Sequence, residues 1–297
     1  MIHYSDEVAV ALRENRPIVA LESTIISHGL PRPTNKSVAI EVEEIVRSKG
    51  AVPATIAIIE GSIHVGLNSH QLDRVANDDG ITKASIRDLP IVAAKKLSAA
   101  TTVAATSHIA HLAGISIFAT GGLGGVHRGA QESWDESADL HSLANIPVMV
   151  ISAGAKSILD VAATLERLET LSVPIVGYRT SRFPGFYLAD SGFDLEYRAE
   201  SPNEVAEIWS ARNELGIESS GMVVANPVIK EMDPELHAAT LANGLKAAED
   251  RSITGKAVTP FLLEYFHSHT DGESLRVNID IIRANAALAA EISVALS

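Results

Sequence analysis

Six short, unbroken apolar runs alternate with helical patterns along this chain of 297 residues. Strands without a polar face are buried on both sides, which is typical of a parallel sheet between two layers of helices. The pattern predicts an α/β protein, a three-layer α/β/α sandwich with a mixed, mostly parallel central sheet. The runs are Ile18–Leu21, Ala54–Ile59, Ile115–Ala119, Pro147–Ser152, Pro174–Tyr178 and Met222–Ala225.

Helical patterns fill the intervals between the runs. Ser201-Pro202 and Asp233-Pro234 each put a capping oxygen before a proline, which marks a helix start. Apolar pairs on either side of Gly61-Ser62 indicate a β-hairpin, so the sheet is expected to be mixed. No linker or repeat interrupts the chain, and residues 1–297 are predicted to form a single domain. The expected helices lie at about 35–48, 88–98, 138–144, 157–169, 202–214, 234–249 and 274–295.

Charge and cysteine content restrict the classes of function. The chain has 24 Lys and Arg against 37 Asp and Glu, a net charge of −13, and no cysteine. A surface this acidic repels nucleic acid polymers and anionic lipid, and the missing thiols exclude cysteine catalysis. Residues 97–126 carry no Asp, Glu, Lys or Arg, but their histidines and glycines favour a buried core over a membrane span. With no signal-peptide pattern at the start, a cytoplasmic protein is expected.

Two candidate catalytic groups follow predicted strands, at the edge where open α/β sheets bind ligands. Glu22 directly follows the first run, where partial desolvation would raise its carboxyl pKa into a range suited to proton transfer. The alternative is a glutamate that caps a loop or pairs with a lysine. Lys156 stands among small uncharged residues at an expected helix N-terminus, where burial and the helix dipole would both favour a neutral, nucleophilic amine. A phosphate-binding or ion-paired lysine is an equal alternative.

A glycine-rich loop begins at Thr120 and includes His127 and Arg128. Glycines let backbone N–H groups close around an oxyanion, and the basic side chains add positive charge, so anion binding is predicted. A flexible structural loop is the alternative. The acidic segment from Asp135 to Asp139 is typical either of a site for a hard divalent ion or of a capped helix start.

Nine segments, taken in order, resemble the pseudouridine-5′-phosphate glycosidase family from about residue 5 to residue 292. This resemblance implies reversible cleavage of the C–C glycosidic bond of pseudouridine 5′-phosphate to uracil and ribose 5-phosphate, through a lysine Schiff base on the ring-opened sugar. It also implies a homotrimer that uses Mn²⁺, one ion per subunit. The segments are ALESTIISHGLP at 20–31, VPATIAI at 52–58, TTVAAT at 101–106, ATGGLGGVHRGA at 119–130, ESADL at 136–140, SAGAKSILD at 152–160, LETLSVPIVGY at 168–178, VANP at 224–227 and GKAVTPFLL at 255–263.

The resemblance also implies residue roles. Lys156 would be the nucleophile, Glu22 the proton donor and Asp135 the manganese ligand. The chain departs from the family pattern at Glu136, which adds negative charge beside the expected metal, and at Ala284, which lacks a usual amide. The substrate would contact Lys83, Val103, Ser137, Ala138 and Asp139, and we add Thr120, His127, Arg128 and Asn285 as candidate binding residues.

Other functions share some of these features. A Schiff-base sugar-phosphate aldolase or lyase would also need Lys156 and the anion loop, and a pyridoxal phosphate enzyme would be yellow. A non-catalytic sugar-phosphate sensor would need no reactive lysine, so trapping an adduct at Lys156 separates it from the enzymes. The sequence leaves open whether His28 orients Glu22 or pairs with loop backbone.

Overall fold

The computed structural model describes residues 2–254 and 257–297. Gly255 and Lys256, which open the last of the nine segments, lie outside the described residues, as does Met1. The described strands are β1 Ile2–Tyr4, β2 Ile18–Leu21, β3 Val52–Ile59, β4 Ser62–Val65, β5 Thr82–Ala84, β6 Ala99–Thr101, β7 Ile117–Ala119, β8 Met149–Ser152, β9 Ile175–Tyr178, β10 Arg198–Ala199 and β11 Met222–Ala225. The helices are α1 Asp6–Arg13, α2 Thr34–Ser48, α3 Ser69–Asn77, α4 Leu89–Ala94, α5 Val103–Leu112, α6 Ala130–Ser133, α7 Ala138–Asn145, α8 Val161–Thr170, α9 Pro202–Glu214, α10 Pro234–Asp250, α11 Val258–His269 and α12 Glu273–Ala295.

These strands join in one sheet with the order β1-β4-β3-β2-β7-β8-β11-β9-β10, to which β6 is added beside β3 and β5 beside β6. The six strands from β3 to β9 in this order are parallel. Both β4 and β6 run antiparallel to β3. The predicted mixed, mostly parallel sheet is confirmed. Because parallel neighbours end on the same side, the residues that follow β2, β7, β8 and β11 share one edge.

Helices cover both faces of the sheet, which confirms the three-layer prediction. Phe118 and Val150 pack on one face with residues of α1, α5, α7 and α8. Ile117 and Met149, one position away on the same strands, pack on the other face with α2, α9 and α12. Since successive side chains of a strand point to opposite faces, both must be apolar when both faces are covered. The unbroken apolar runs are the direct result.

Some predicted boundaries are wrong. Helix α8 begins at Val161 rather than at residue 157, because the Asp160 side chain accepts the Ala163 N–H and caps the helix there. Lys156 therefore does not lie at a helix N-terminus, and the helix dipole does not act on it as predicted. The hairpin between β3 and β4 exists, but its turn is Glu60-Gly61, one residue earlier than expected. Both turn residues have positive φ, as a tight hairpin of this kind requires.

A third apolar cluster packs over the carboxyl-end edge of the sheet. It joins residues of α10, α11 and α12 to the segment 183–187, with Phe183, Tyr187 and Phe266 fully buried. The uncharged stretch 97–126 forms β6, α5 and β7 and is largely buried, as predicted. Among residues 2–254 and 257–297, no helix combines the length and the apolar character needed to cross a membrane.

Candidate active site

A cleft of about 570 Å³ opens at the carboxyl-end edge of the sheet. It brings Glu22, which follows β2, together with Lys156, which follows β8. This convergence of groups far apart in the chain is what the strand-end argument predicted. The predicted site residues on its wall are Glu22, Lys83, Val103, His127, Asp135, Ser137, Ala138, Asp139 and Lys156.

Glu22 is a buried carboxyl group on the cleft wall, with only 9% of its surface exposed. Burial raises the pKa of Glu22, because the desolvated carboxylate is less stable than the neutral acid. The charges of Lys156 and Lys83 and a hydrogen bond from the Thr120 hydroxyl oppose this rise in pKa, while Asp139 adds to it. Glu22 is therefore suited to give up a proton to a ligand in the cleft.

Lys156 is a half-buried amine held by the glycine-rich loop. Its Nζ donates a hydrogen bond of 2.7 Å to the Gly122 carbonyl, and its backbone N–H donates to the Leu123 carbonyl at 3.1 Å. Nearby, Gly154 has a φ of +77°, and a Cβ there would lie 2.0 Å from the Pro184 carbonyl oxygen. Only glycine fits this turn, which delivers the lysine to the cleft.

The glycine-rich loop is built for close packing. A Cβ on Gly124 would lie 2.3 Å from the Ser137 Oγ, and one on Gly125 would lie 2.3 Å from the Thr164 Oγ1. Four N–H groups of the loop already donate to protein acceptors, so these four do not favour the predicted backbone anion cradle. The donor residues are Leu123, Gly124, Val126 and His127, and their acceptors are Gly154 O, Asp139 Oδ2, Thr164 Oγ1 and Asp135 O.

The two basic residues of this loop lie in different places. His127 lines the cleft, where burial and the charges of Lys83 and Lys156 lower its pKa, although Asp135 opposes the shift. Its imidazole is therefore biased toward the neutral form. Arg128 is exposed and is not part of the cleft wall formed by the described residues; its guanidinium donates to the Ser157 carbonyl at 3.5 Å.

Two helix N-termini meet at the cleft. Val103 and Ala138 are the first residues of α5 and α7, and first-turn N–H groups have no acceptor inside their own helix. Asp139 ties these helices to the loop, accepting the Ala104 N–H at 3.0 Å and the Gly124 N–H at 2.9 Å. Helix N-termini favour anions through their free N–H groups and their dipoles.

The acidic segment offers one carboxylate to a metal ion. In the part of the chain that the structure describes, no three His, Asp or Glu side chains converge on a point that could hold one. Asp139 is committed to backbone N–H groups, whereas Asp135 lines the cleft, with one oxygen 3.9 Å from His127 Nδ1. A hard cation that keeps several waters needs only one or two carboxylates, so Asp135 fits such an ion. The neighbouring Trp134 is 84% exposed and has a φ of 56°.

Comparison with known proteins gives the family. The family model described as "Indigoidine synthase A like protein" matches residues 7–295. A pseudouridine-5′-phosphate glycosidase of Salinispora tropica is 58% identical over 99% of this chain and 91% of its own length. The chain belongs to the pseudouridine-5′-phosphate glycosidase family. Another member, from Petrotoga mobilis, is 52% identical over 98% of this chain and 96% of its own length. The resemblance inferred from the nine segments is confirmed.

Solved structures of similar proteins share the fold of this family member. The prealnumycin C-glycosynthase AlnA, solved in complex with ribulose 5-phosphate, is 35% identical, with a TM-score of 0.91 over 100% of this chain and 97% of AlnA. An indigoidine synthase A-like protein of Thermotoga maritima is 36% identical, with a TM-score of 0.90 over 99% and 96% of the two chains.

The structure explains one departure of this chain from the glycosidase family pattern. Glu136 accepts a hydrogen bond of 2.9 Å from Arg167 on α8, so its added negative charge is balanced beside the cleft. Ala284 lies in α12, next to Asn285. Asn285 is 1% exposed and does not line the cleft; it donates to the Thr120 carbonyl at 2.7 Å.

Several residues that line this cleft or the pocket beside it were not predicted from the sequence. Arg87 and Ser85 follow Lys83 on the wall, and a basic pair in so acidic a chain was the available signal. Asn278, in the second turn of α12, lines a smaller adjoining pocket together with Phe186 and gave no local signal. His28 lines that pocket too, and its Nε2 lies 3.2 Å from the Ile81 carbonyl; it pairs with loop backbone rather than with Glu22.

Proposed function

We propose that this protein is a pseudouridine-5′-phosphate glycosidase, which reversibly cleaves the C–C glycosidic bond of its substrate to uracil and ribose 5-phosphate. The observation that carries the proposal is the meeting of Glu22 and Lys156 on one cleft, in a chain whose relatives bear that name. The ribulose 5-phosphate complex of the C-glycosynthase AlnA supports a sugar phosphate as ligand.

The chemistry requires a lysine and an acid. The uracil of pseudouridine leaves through carbon, so no heteroatom receives the electrons when the glycosidic bond breaks. Proton transfer to the ring oxygen O4′ opens the ribose, and the Lys156 amine bonds to C1′. When the C1′–C5 bond breaks, its electron pair stays on uracil C5, which takes a proton, while the nitrogen lone pair forms the iminium with C1′. Water then releases ribose 5-phosphate from Lys156.

Glu22 supplies the protons in this sequence. Its buried carboxyl has a raised pKa, which favours the protonated form that a proton donor needs. The same group recovers a proton when the lysine deprotonates or when water attacks the iminium. One acid that alternates between its two forms therefore serves both bond-making and bond-breaking steps.

The phosphate is proposed to bind away from the glycine-rich loop, at the N-termini of α5 and α7. Val103 and Ala138 contribute first-turn N–H groups there, and Lys83 and Arg87 add positive charge on the same wall. These positive charges act locally against the repulsion expected from a net charge of −13. Binding energy from the phosphate holds C1′ close to the amine of Lys156.

Mn²⁺ and a homotrimer are further parts of the proposal. Asp135 would hold the ion together with water molecules, and the bound ion would neutralise charge on substrate oxygens. The trimer rests on family resemblance alone, and sedimentation equilibrium of the purified protein tests it.

Uracil release from pseudouridine 5′-phosphate tests the proposal directly. The wild-type protein with Mn²⁺ should release uracil and ribose 5-phosphate in equal amounts, measured by chromatography. An aldolase or lyase would cleave a sugar phosphate but leave pseudouridine 5′-phosphate intact. A sensor would bind ribose 5-phosphate in calorimetry without any turnover. Either result would overturn the proposed function.

A further inference from the structure

A largely buried series of hydrogen bonds leads to Glu22 through residues outside the cleft wall. Asn226 lies just after β11, and its Nδ2 donates a hydrogen bond of 2.9 Å to the Asn285 Oδ1. The Asn285 Nδ2 in turn donates a hydrogen bond of 2.7 Å to the Thr120 carbonyl, and the Thr120 hydroxyl donates one to the Glu22 Oε1. Thr120 and Asn285 are 0% and 1% exposed, and neither is part of the described wall of the cleft.

The donors and acceptors of this series of hydrogen bonds run in one direction, from Asn226 to Glu22. Because Asn226 donates to the amide oxygen of Asn285, the NH₂ group of Asn285 must face the opposite partner, the Thr120 carbonyl. The Thr120 N–H donates to the Ile151 carbonyl at 3.0 Å, so the Thr120 backbone is held on both sides. A β-branched side chain on a fixed backbone has few rotamers, which aims the hydroxyl at Glu22.

We propose that Thr120 is a positioning residue for the acid: it holds the Glu22 Oε1 as an acceptor and confines the transferable proton to Oε2, while Asn285 and Asn226 fix Thr120. A hydroxyl has one proton to donate, and the oxygen that accepts it is disfavoured as a site for a second proton. This inference rests on the proposed function, in which Glu22 is the proton donor. It replaces the expectation that Thr120 and Asn285 bind the substrate.

The proposal has a titration consequence. A hydrogen bond donated to a carboxylate favours the charged form, so the Thr120 hydroxyl works against the rise in the pKa of Glu22 that burial causes. Loss of the hydroxyl should raise the pKa of Glu22 further. It should also leave the carboxyl free to rotate, so that either oxygen can carry the proton.

The kinetic test compares Thr120→Val, which keeps the shape but removes the hydroxyl, with Thr120→Ser, which keeps the hydroxyl. Uracil release is measured as kcat and KM across pH. Thr120→Val should lower kcat about 10- to 100-fold with KM within about two-fold of wild type. The alkaline limb of kcat/KM should move to higher pH, and Thr120→Ser should restore both the limb and kcat. A rise in KM alone, or an unchanged pH profile, would overturn the proposal.

A second measurement is independent of turnover. The infrared band of the protonated Glu22 carboxyl is assigned as the band that Glu22→Gln removes, and it is titrated in wild type and variant. A higher titration midpoint in Thr120→Val supports the positioning role, and an equal midpoint overturns it. If Thr120→Val does not fold, Thr120→Ala, which cannot overpack the site, has the same expected result. Failure of the wild type to release uracil would count against the proposed function, whereas the infrared midpoint judges Thr120 alone.

Discussion

The Lys156 Nζ donates a hydrogen bond of 2.7 Å to the carbonyl oxygen of Gly122. One proton of the amine is thus aimed at backbone, and in the proposed mechanism the neutral nitrogen turns its lone pair toward C1′ to attack. The Gly122 carbonyl can accept a hydrogen bond from either the neutral or the charged amine of Lys156. It therefore stabilises both forms without itself taking a proton.

Replacement of the nucleophile gives the first prediction. Lys156→Ala should lose at least about 10³-fold in kcat, since the amine proposed to capture C1′ is removed. Lys156→Arg should not recover activity, because a guanidinium stays charged and is not nucleophilic. Borohydride added to wild type during turnover should reduce the iminium to a stable sugar-phosphate adduct, found by mass spectrometry on the peptide that contains Lys156. Uracil release by Lys156→Ala at a rate close to wild type would rule the iminium out.

The pH dependence follows from Glu22. Because burial raises its folded-state pKa, the proton donor is present below that raised pKa and is lost as the pH rises through it. Activity in the cleavage direction should fall on the alkaline side for this reason. Glu22→Gln should lower kcat about 10²- to 10⁴-fold and abolish that alkaline limb. A variant with the same limb as wild type would assign the titration to another group.

Phosphate recognition should depend on Arg87. Arg87 lines the cleft wall, and among residues 2–254 and 257–297 its guanidinium has one weak ion-pair partner, Asp88, at 3.8 Å. Arg87→Ala should raise KM for pseudouridine 5′-phosphate about 10- to 100-fold, as expected for loss of a charge-assisted contact. KM for unphosphorylated pseudouridine should not change. Arg13→Ala, on α1 away from the cleft, is the matched control. Equal effects of Arg87→Ala on both substrates would contradict a phosphate contact.

The metal prediction concerns Asp135. Asp135→Asn should reduce Mn²⁺ affinity at least about ten-fold in calorimetry of the substrate-free protein, while circular dichroism stays that of wild type. Glu136→Gln is the control, because that carboxylate pairs with Arg167 rather than with an ion. Manganese binding lost in Glu136→Gln and kept in Asp135→Asn would reverse the assignment.

The sheet was predictable where burial is two-sided. Residues such as Phe118 and Ile117 must both be apolar because helices cover both faces, and this leaves an unmistakable run in the sequence. Strands β5 and β6 leave no such signal, because β6 pairs with β3 and β5 pairs with β6, and these partners come from other segments of the chain. The early start predicted for α8 is wrong because the Asp160 side chain caps the helix, which begins at Val161.

The site was predictable where a reactive side chain follows a strand, as with Glu22 and Lys156. The role of the glycine-rich loop could not be predicted. A high density of glycines indicates that other groups pack close to the backbone, but it does not identify those groups. In Gly124 and Gly125 the approaching groups are the side chains of Ser137 and Thr164 rather than an anion. Such partners come from distant segments, and only the tertiary structure brings them together.

Trp134 is an intrinsic fluorescent probe in this protein. The chain has two tryptophans, and the other, Trp209, is 5% exposed beneath the Arg212 guanidinium. Emission from the exposed Trp134 indole is therefore expected to be red-shifted and open to aqueous quenchers, whereas the α9 indole is shielded. Because Trp134 directly precedes Asp135, an event that orders or desolvates this segment should change the tryptophan emission. That emission needs no added dye and can be followed by stopped-flow fluorescence on the native protein.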